Sequence, residues 1–272
     1  MAIIAMVQWK GGVGKSTLGV HLASALDAVL IDLEPWGGAT AWWAGPHATE
    51  LWQAPGPAPV LRAMEKGRPP RPRKGEAGRP RLVPSHEQLL SLADGGAAGA
   101  HWEWTTDGIP KLMVATPTGP RPLADALRIA IPQWAAEWDS DVVVDTPAGF
   151  GPLADGAIAA ADLVVLPVTL DQWAVPALRK FMRAYANRVK RGLVIPNRVR
   201  PRVTDGVWAD VIMAEGVVEP PFELGPPVAE SEIFRAAGRP LSSGRSPGKA
   251  RSAALDQIDS VARRALQLAK SA

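Results

Sequence analysis

Lys10-Gly11-Gly12-Val13-Gly14-Lys15-Ser16-Thr17 packs three glycines, two lysines and two hydroxyls into eight positions. Those residue types together make an anion site. Glycines let the backbone curl closely around a ligand and aim N–H groups at it, an ammonium neutralises the outer phosphates, and a hydroxyl offers oxygen to magnesium. On that chemistry Gly11, Gly12, Val13, Gly14 and Thr17 cradle the phosphates, Lys15 reaches the outer ones and Ser16 binds the metal. Trp9 stands where the pattern GxxxxGK[ST] wants its first glycine, so the stretch fits the variant KGGxGK[ST], led by the extra lysine Lys10.

Such a loop works only between a strand and a helix. Ala2 to Val7 is an apolar run that predicts a buried strand, and Leu18, Leu22, Ala25 and Leu26 fall at helical spacing. A second strand is expected from Ala28 to Leu33, ending in Asp32-Leu33-Glu34-Pro35-Trp36-Gly37-Gly38. Val142-Val143-Val144 then delivers Asp145 to a strand's carboxyl edge, where a carboxylate can hold a magnesium-bound water.

On these motifs the chain resembles the ParA/MinD group of deviant Walker A ATPases, and most of all its ParA branch. The resemblance implies ATP and Mg2+ as cofactors and a homodimer formed on ATP binding, in which Lys10 reaches the partner's nucleotide. It places Asp32 and Asp145 with Ser16 around the metal. Glu34 stands where the family has the aspartate that positions the attacking water, and Trp36 replaces its glutamine. The carboxylate sits on a stem one methylene longer, and a misplacement of about 1 Å can cost on the order of 100-fold in rate. Hydrolysis is therefore expected to be slow without a partner. Ala148 replaces the second proline of the family's DxPP segment. Asn197 falls where the family contacts adenine, although a turn asparagine would look the same, and Glu230 to Pro240 resembles the family's closing helix.

Composition narrows the alternatives. The 272 residues, 47% of them hydrophobic, suffice for one substantial core. The absence of cysteine excludes disulfides and the iron–sulfur relatives of this group, and fits a reducing compartment. The chain opens directly on the nucleotide strand, so neither a signal peptide nor an N-terminal helix-turn-helix is expected, and no apolar run reaches the roughly 20 residues of a membrane span. His21, His47, His86 and His101 are scattered without ligand spacing and are expected to be structural or exposed.

Charge is distributed unevenly. Trp173 to Arg191 predicts a long helix with Leu178, Phe181, Met182, Tyr185 and Val189 on one face, and Arg179, Lys180, Arg183, Lys190 and Arg191 away from it. From Pro176 to Arg202 nine residues are basic and none is acidic. A face of one sign suits a polyanion, which points to sequence-independent DNA binding, against a merely solubilising surface. Residues 65–84 interleave Arg68, Arg71, Arg73, Lys74, Arg79 and Arg81 with Pro69, Pro70, Pro72 and Pro80 and predict an exposed basic loop, either touching DNA or simply solvated. Gly95 to Gly99 marks another loop. Trp42, Trp43 and Trp52 suit the core better than a partner surface.

The remaining strands are expected at Lys111–Thr116, Ala161–Val168, Gly192–Pro196 and Val217–Phe222, with helices over Leu123–Trp138 and around Leu255–Ala269. The alanine-rich stripe of the last helix suits packing rather than membrane insertion. The expected fold is one α/β domain over 1–272, doubly wound, with a mostly parallel sheet flanked by helices and the nucleotide at the strands' carboxyl edge. The function expected is a cytoplasmic, nucleoid-associated ATPase. It would bind DNA without sequence preference and position a cargo (plasmid, chromosome or protein assembly), with hydrolysis stimulated by a ParB-like or other adaptor. The alternatives are a MinD-like membrane-cycling ATPase and a metabolic P-loop enzyme that activates a small molecule.

Overall fold

A strand that is apolar at every position needs cover on both faces, which in α/β proteins means a central place in a parallel sheet. In the computed structural model, which describes residues 1–75, 78–92, 100–171, 173–200, 218–231, 234 and 249–271, that strand is β1 (Ile3–Gln8), buried throughout. There follow α1 (Lys15–Ala25), β2 (Val29–Asp32), α2 (Gly38–Ala44), α3 (Ala48–Trp52), α4 (Pro59–Lys66) and β3 (Arg81–Val83). The middle of the chain supplies β4 (Ala100–Trp104), β5 (Pro110–Val114), β6 (Arg121–Pro122), α5 (Leu123–Trp138), β7 (Val142–Ala148), α6 (Pro152–Ala160) and β8 (Leu163–Thr169). The chain continues with α7 (Ala174–Tyr185), β9 (Gly192–Val199), β10 (Phe222–Leu224), β11 (Val228–Ala229) and α8 (Lys249–Lys270).

The main sheet runs β10-β9-β8-β1-β7-β2-β3, with β11 also pairing with β9, and every pairing in it is parallel. Alternation along β1 divides the core. Ile3, Ala5 and Val7 face the cluster built with α4, α5, α6 and α7, while Ala2, Ile4 and Met6 face α1, α2 and α8. This is the doubly wound α/β architecture expected from the sequence.

Several local expectations need correction. The basic, proline-rich stretch is not wholly an exposed loop: Arg81–Val83 pairs with Val29–Ile31 as the sheet's edge strand, and Arg73 exchanges backbone hydrogen bonds with Leu82. Leu82 and Val83 are fully buried, and the four prolines lie outside the paired segment, so apolar burial at two positions overrode the local composition. The strand around Lys111 joins a separate antiparallel sheet, β4-β5-β6, not the parallel one. The helix over the basic stretch stops at Tyr185, six residues before the expected Arg191. Beyond Tyr185 the chain closes in a turn, with Arg188 and Val189 both donating to the Tyr185 carbonyl, and Val189 is still buried at 6% exposure. The last strand expected, Val217–Phe222, is shifted to Phe222–Leu224. Gly95–Gly99, Val217 and most of Glu230–Pro240 lie outside the described residues.

Gly192 shows how closely the edge is packed: a Cβ there would lie 2.0 Å from the Phe222 ring. Gly192→Ala should therefore destabilise the protein by about 1–3 kcal/mol through overpacking. The loss is read as a lower midpoint in chemical denaturation, and an unchanged midpoint would show that β10 yields freely.

Candidate nucleotide site

The loop after β1 is shaped by two left-handed glycines, Gly12 at φ 78° and Gly14 at φ 87°. Gly14 has a second constraint. A Cβ on it would sit 2.6 Å from the Asn197 amide nitrogen, which donates to the Val13 carbonyl at 2.7 Å. Gly14 is also the N-cap of α1, and no side chain caps that end. The first amides of the helix are left pointing into the loop, the arrangement that favours an anion. A cavity of about 570 Å³ opens there, lined by Lys10 through Leu18, Glu34 and Asn197, with Arg198, Glu230, Phe234 and Ile258 farther along.

Parallel register brings the acidic residues to the same edge. Asp32 on β2 lies level with Asp145 on β7. Lys15 donates to one Asp145 oxygen at 2.7 Å, with both side chains buried. The other Asp145 oxygen is buried and has no hydrogen-bond partner among the described residues. Asp32, fully buried, accepts from the Thr40 amide and hydroxyl, each at 2.7 Å, and from the Glu34 amide at 3.0 Å. Burial, with Asp145 beside it, pushes the Asp32 carboxyl up to about 7. Glu34 is raised too, mainly by burial, while the Gly38 amide donates to it at 3.2 Å. A Cβ on Gly38 would meet both Ser16 Oγ (2.6 Å) and Glu34 Oε2 (3.7 Å), so these side chains converge on one point.

That donor set fits Mg2+. Hard oxygens, a buried acceptor without a partner and a carboxyl kept protonated by crowding are what a small dication would relieve. Ser16, Asp32 and Asp145 would hold it, with Glu34 beside them.

Lys10 does not point into the cavity alone. Its ammonium pairs with Asp171 at 2.5 Å, and Asp171 is itself held by the Thr169 hydroxyl (2.7 Å) and the Trp173 amide (3.0 Å). Asp171 escaped the sequence reading: it lies just past the end of β8, whereas Asp32 ends β2 and Asp145 sits at the middle of β7. Arg198 and Glu230 were also missed as wall residues, because nothing in local sequence joins two positions 32 apart.

The basic residues expected to bind DNA are only partly gathered. Arg179, Lys180 and Arg183 are exposed on α7, and Lys180 lies 4.4 Å from the Trp9 ring centre. Lys190 is paired with Asp162 at 2.9 Å and Arg191 donates to the Ser271 carbonyl at 2.8 Å, both beyond the helix. The tryptophans are used in packing: the indole N–H groups of Trp43 and Trp52 donate to the carbonyls of Pro80 and Pro35, each at 2.8 Å. Trp42 is buried with its ring edge-on to His21. His86 is buried and hydrogen-bonds the Ala54 carbonyl at 2.8 Å, while His47 and His101 are exposed.

No protein-family model and no curated protein matches the chain. Solved structures do. A McdA variant from Cyanothece in complex with ATP is similar over 98% of this chain and 96% of its own, at 18% identity and a TM-score of 0.67. A plasmid partition protein from Borrelia burgdorferi is similar over 98% of both chains, at 16% identity and a TM-score of 0.64. Cobyrinic acid a,c-diamide synthase from Mycobacterium smegmatis, with bound ADP and magnesium, is similar over 99% of this chain and 96% of its own, at 20% identity and a TM-score of 0.66. At these identities the likeness establishes the shared α/β P-loop fold.

Asp32 generates a pH prediction. A carboxyl raised from 3.8 to about 7 on folding keeps a proton that the unfolded chain releases. Its contribution to stability is complete below the unfolded value and is lost as pH rises through about 7. In chelator and without nucleotide, Asp32→Asn should therefore melt higher than the parent at about pH 8, with the difference shrinking toward about pH 5.5. A difference that does not change with pH would mean that Asp32 is not held protonated.

Proposed function

We propose that this chain is a ParA-type ATPase. It binds ATP with Mg2+, pairs with a second copy across the nucleotides, and holds DNA without reading its sequence. It lets go when an adaptor on its cargo triggers hydrolysis. The observation that carries this is the Lys15–Asp145 pair at the loop, with the second Asp145 oxygen buried and lacking a partner among the described residues. Both charges are satisfied only half way, and a triphosphate with its metal completes each.

The roles follow from position. Loop amides and the open end of α1 bind the phosphates, and Lys15 exchanges Asp145 for them. Magnesium, when bound, neutralises charge on the outer phosphates. Asp32, Asp145 and Ser16 hold it, and Glu34 orients the attacking water. Lys10 leaves Asp171 to reach the partner's nucleotide. Arg179, Lys180 and Arg183 on α7 supply the DNA contacts, and dimerisation doubles that surface.

The fold alone fits a metabolic enzyme equally well. Lys10 at the head of the loop favours the partition reading. So does the neighbouring cavity of about 370 Å³, walled by Leu89, Leu92, Trp102 and Leu112, where Glu34 is the only charged lining residue among the described residues. A polar metabolite would find little to bind there. Against a MinD-like membrane cycle, Ile258, Val261, Ala265 and Leu268 of α8 are buried against the sheet. No described helix is long and apolar enough to cross a membrane. We place the protein in the cytoplasm, on the nucleoid, with a ParB-like or other cargo adaptor as its partner.

Lys15→Ala should abolish ATP binding in calorimetry, and retained binding would remove the loop from the site. Lys10→Ala should keep much of the binding but lose the ATP-dependent dimer in light scattering; a surviving dimer would rule out the role in trans. Changing Arg179 and Arg183 together to alanine should weaken DNA binding on any sequence. It should also flatten the log–log salt dependence by about 0.9 for each phosphate no longer neutralised, and an unchanged slope would put the DNA elsewhere.

A further inference from the structure

Arg198, the last residue but one of β9, has a left-handed backbone, φ 59°, one residue beyond Asn197. A residue with a Cβ seldom adopts that conformation unless its surroundings hold it there. Here the holding is explicit. The Arg198 guanidinium donates to the Gly12 carbonyl at 3.1 Å and to the Glu230 carboxylate at 3.0 Å. Arg200 donates to the same carboxylate through Nη2 at 2.9 Å and through Nε to its other oxygen. Glu230 is thus capped on both oxygens, and the two arginines hold it well below the usual carboxylate range, at about 2. Arg198 and Glu230 line the same cavity as the loop, together with the apolar Val228, Phe234 and Ile258. With phosphates in the loop, these residues outside it would be among those left to meet the base of a bound nucleotide.

We propose that Glu230, capped by Arg198 and Arg200, makes the cavity discriminate against guanine. This deepens the ATPase reading and rests on it. The Watson–Crick edge of guanine presents two adjacent N–H donors, on N1 and the 2-amino group, and the paired oxygens of a carboxylate match them. Adenine presents one amino group beside a bare ring nitrogen. An uncapped Glu230 would therefore be an acceptor for guanine. The two guanidinium groups take three of its roughly four acceptor positions, so guanine must bury at least one donor without a partner, whereas adenine has a single amino group to place. Discrimination built on unsatisfied polar groups is strong compared with what an apolar wall achieves.

The test compares binding of non-hydrolysable ATP and GTP analogues by calorimetry, with magnesium, to the full chain. The parent should prefer the ATP analogue. Replacing Arg198 and Arg200 together by alanine should shrink that preference by about 10-fold or more. Adding Glu230→Gln to that pair should restore most of it, because a glutamine no longer offers two acceptors. Arg198 also ties the Gly12 carbonyl, so both affinities can fall together, but loosening of the loop leaves their ratio unchanged. A ratio that stays within about twofold of the parent's in the double variant, or a gain for GTP that survives Glu230→Gln, overturns the assignment. A parent that binds neither analogue overturns the ATPase reading and this one with it. A parent that binds both with a ratio the arginines do not alter overturns this one alone.

Discussion

The buried pair between Lys15 and Asp145 is the interaction on which the rest of the site depends. Taking two ions out of water costs several kcal/mol each, and their mutual attraction repays this only when the remaining donors and acceptors are also satisfied. Here they are not, because the outer Asp145 oxygen has no hydrogen-bond partner among the described residues. Asp32, level with it on the next strand, is pushed by its own burial, and then by Asp145 beside it, toward holding its proton. Three groups are thus kept close at a cost that a phosphate and a dication would remove. The charges of the site are arranged before any ligand arrives.

The parallel sheet makes this possible. Each strand delivers its last residues to one edge, so side chains far apart in sequence meet without any helix bending toward them. Cross-strand ties fix the edge: Gln8 donates to the Pro167 carbonyl at 2.8 Å, and the Thr146 hydroxyl donates to the Met6 carbonyl at 2.8 Å. The loop is locked from the other side by Asn197 on Val13 and Arg198 on Gly12. Those ties help offset the conformational entropy that a loop this rich in glycine loses on ordering.

Cations around the site are held in reserve by partners in the same chain. Lys10 is on Asp171, Lys180 stands over Trp9, and Trp9 meets the Phe150 ring edge-on with centroids 3.8 Å apart. Phe150, in the segment after Asp145, stacks in turn on Tyr185 of α7. Trp9 at the head of the glycine loop, Phe150 after β7 and the basic helix α7 therefore touch through one aromatic group. Such contiguous packing is the material through which sites influence each other.

By itself, the sequence determined the central strand, the loop, the helix after it and the carboxylates Asp32 and Asp145. These are local signals: an apolar run, a glycine pattern, an acidic residue directly after apolar ones. It missed the edge strand at Arg81–Val83, since two buried residues inside a basic, proline-rich stretch leave almost no periodic trace. It ran the basic helix too far because Val189 keeps helical spacing while its side chain turns into the core. Only the tertiary structure decided which charges are already spent, removing Lys190 and Arg191 from the basic face and giving Lys10 to Asp171. It alone brought Arg198 and Arg200 onto Glu230. Pairing of this kind is set by strand order and register, and the energy of a charge depends on the partner that the fold places beside it.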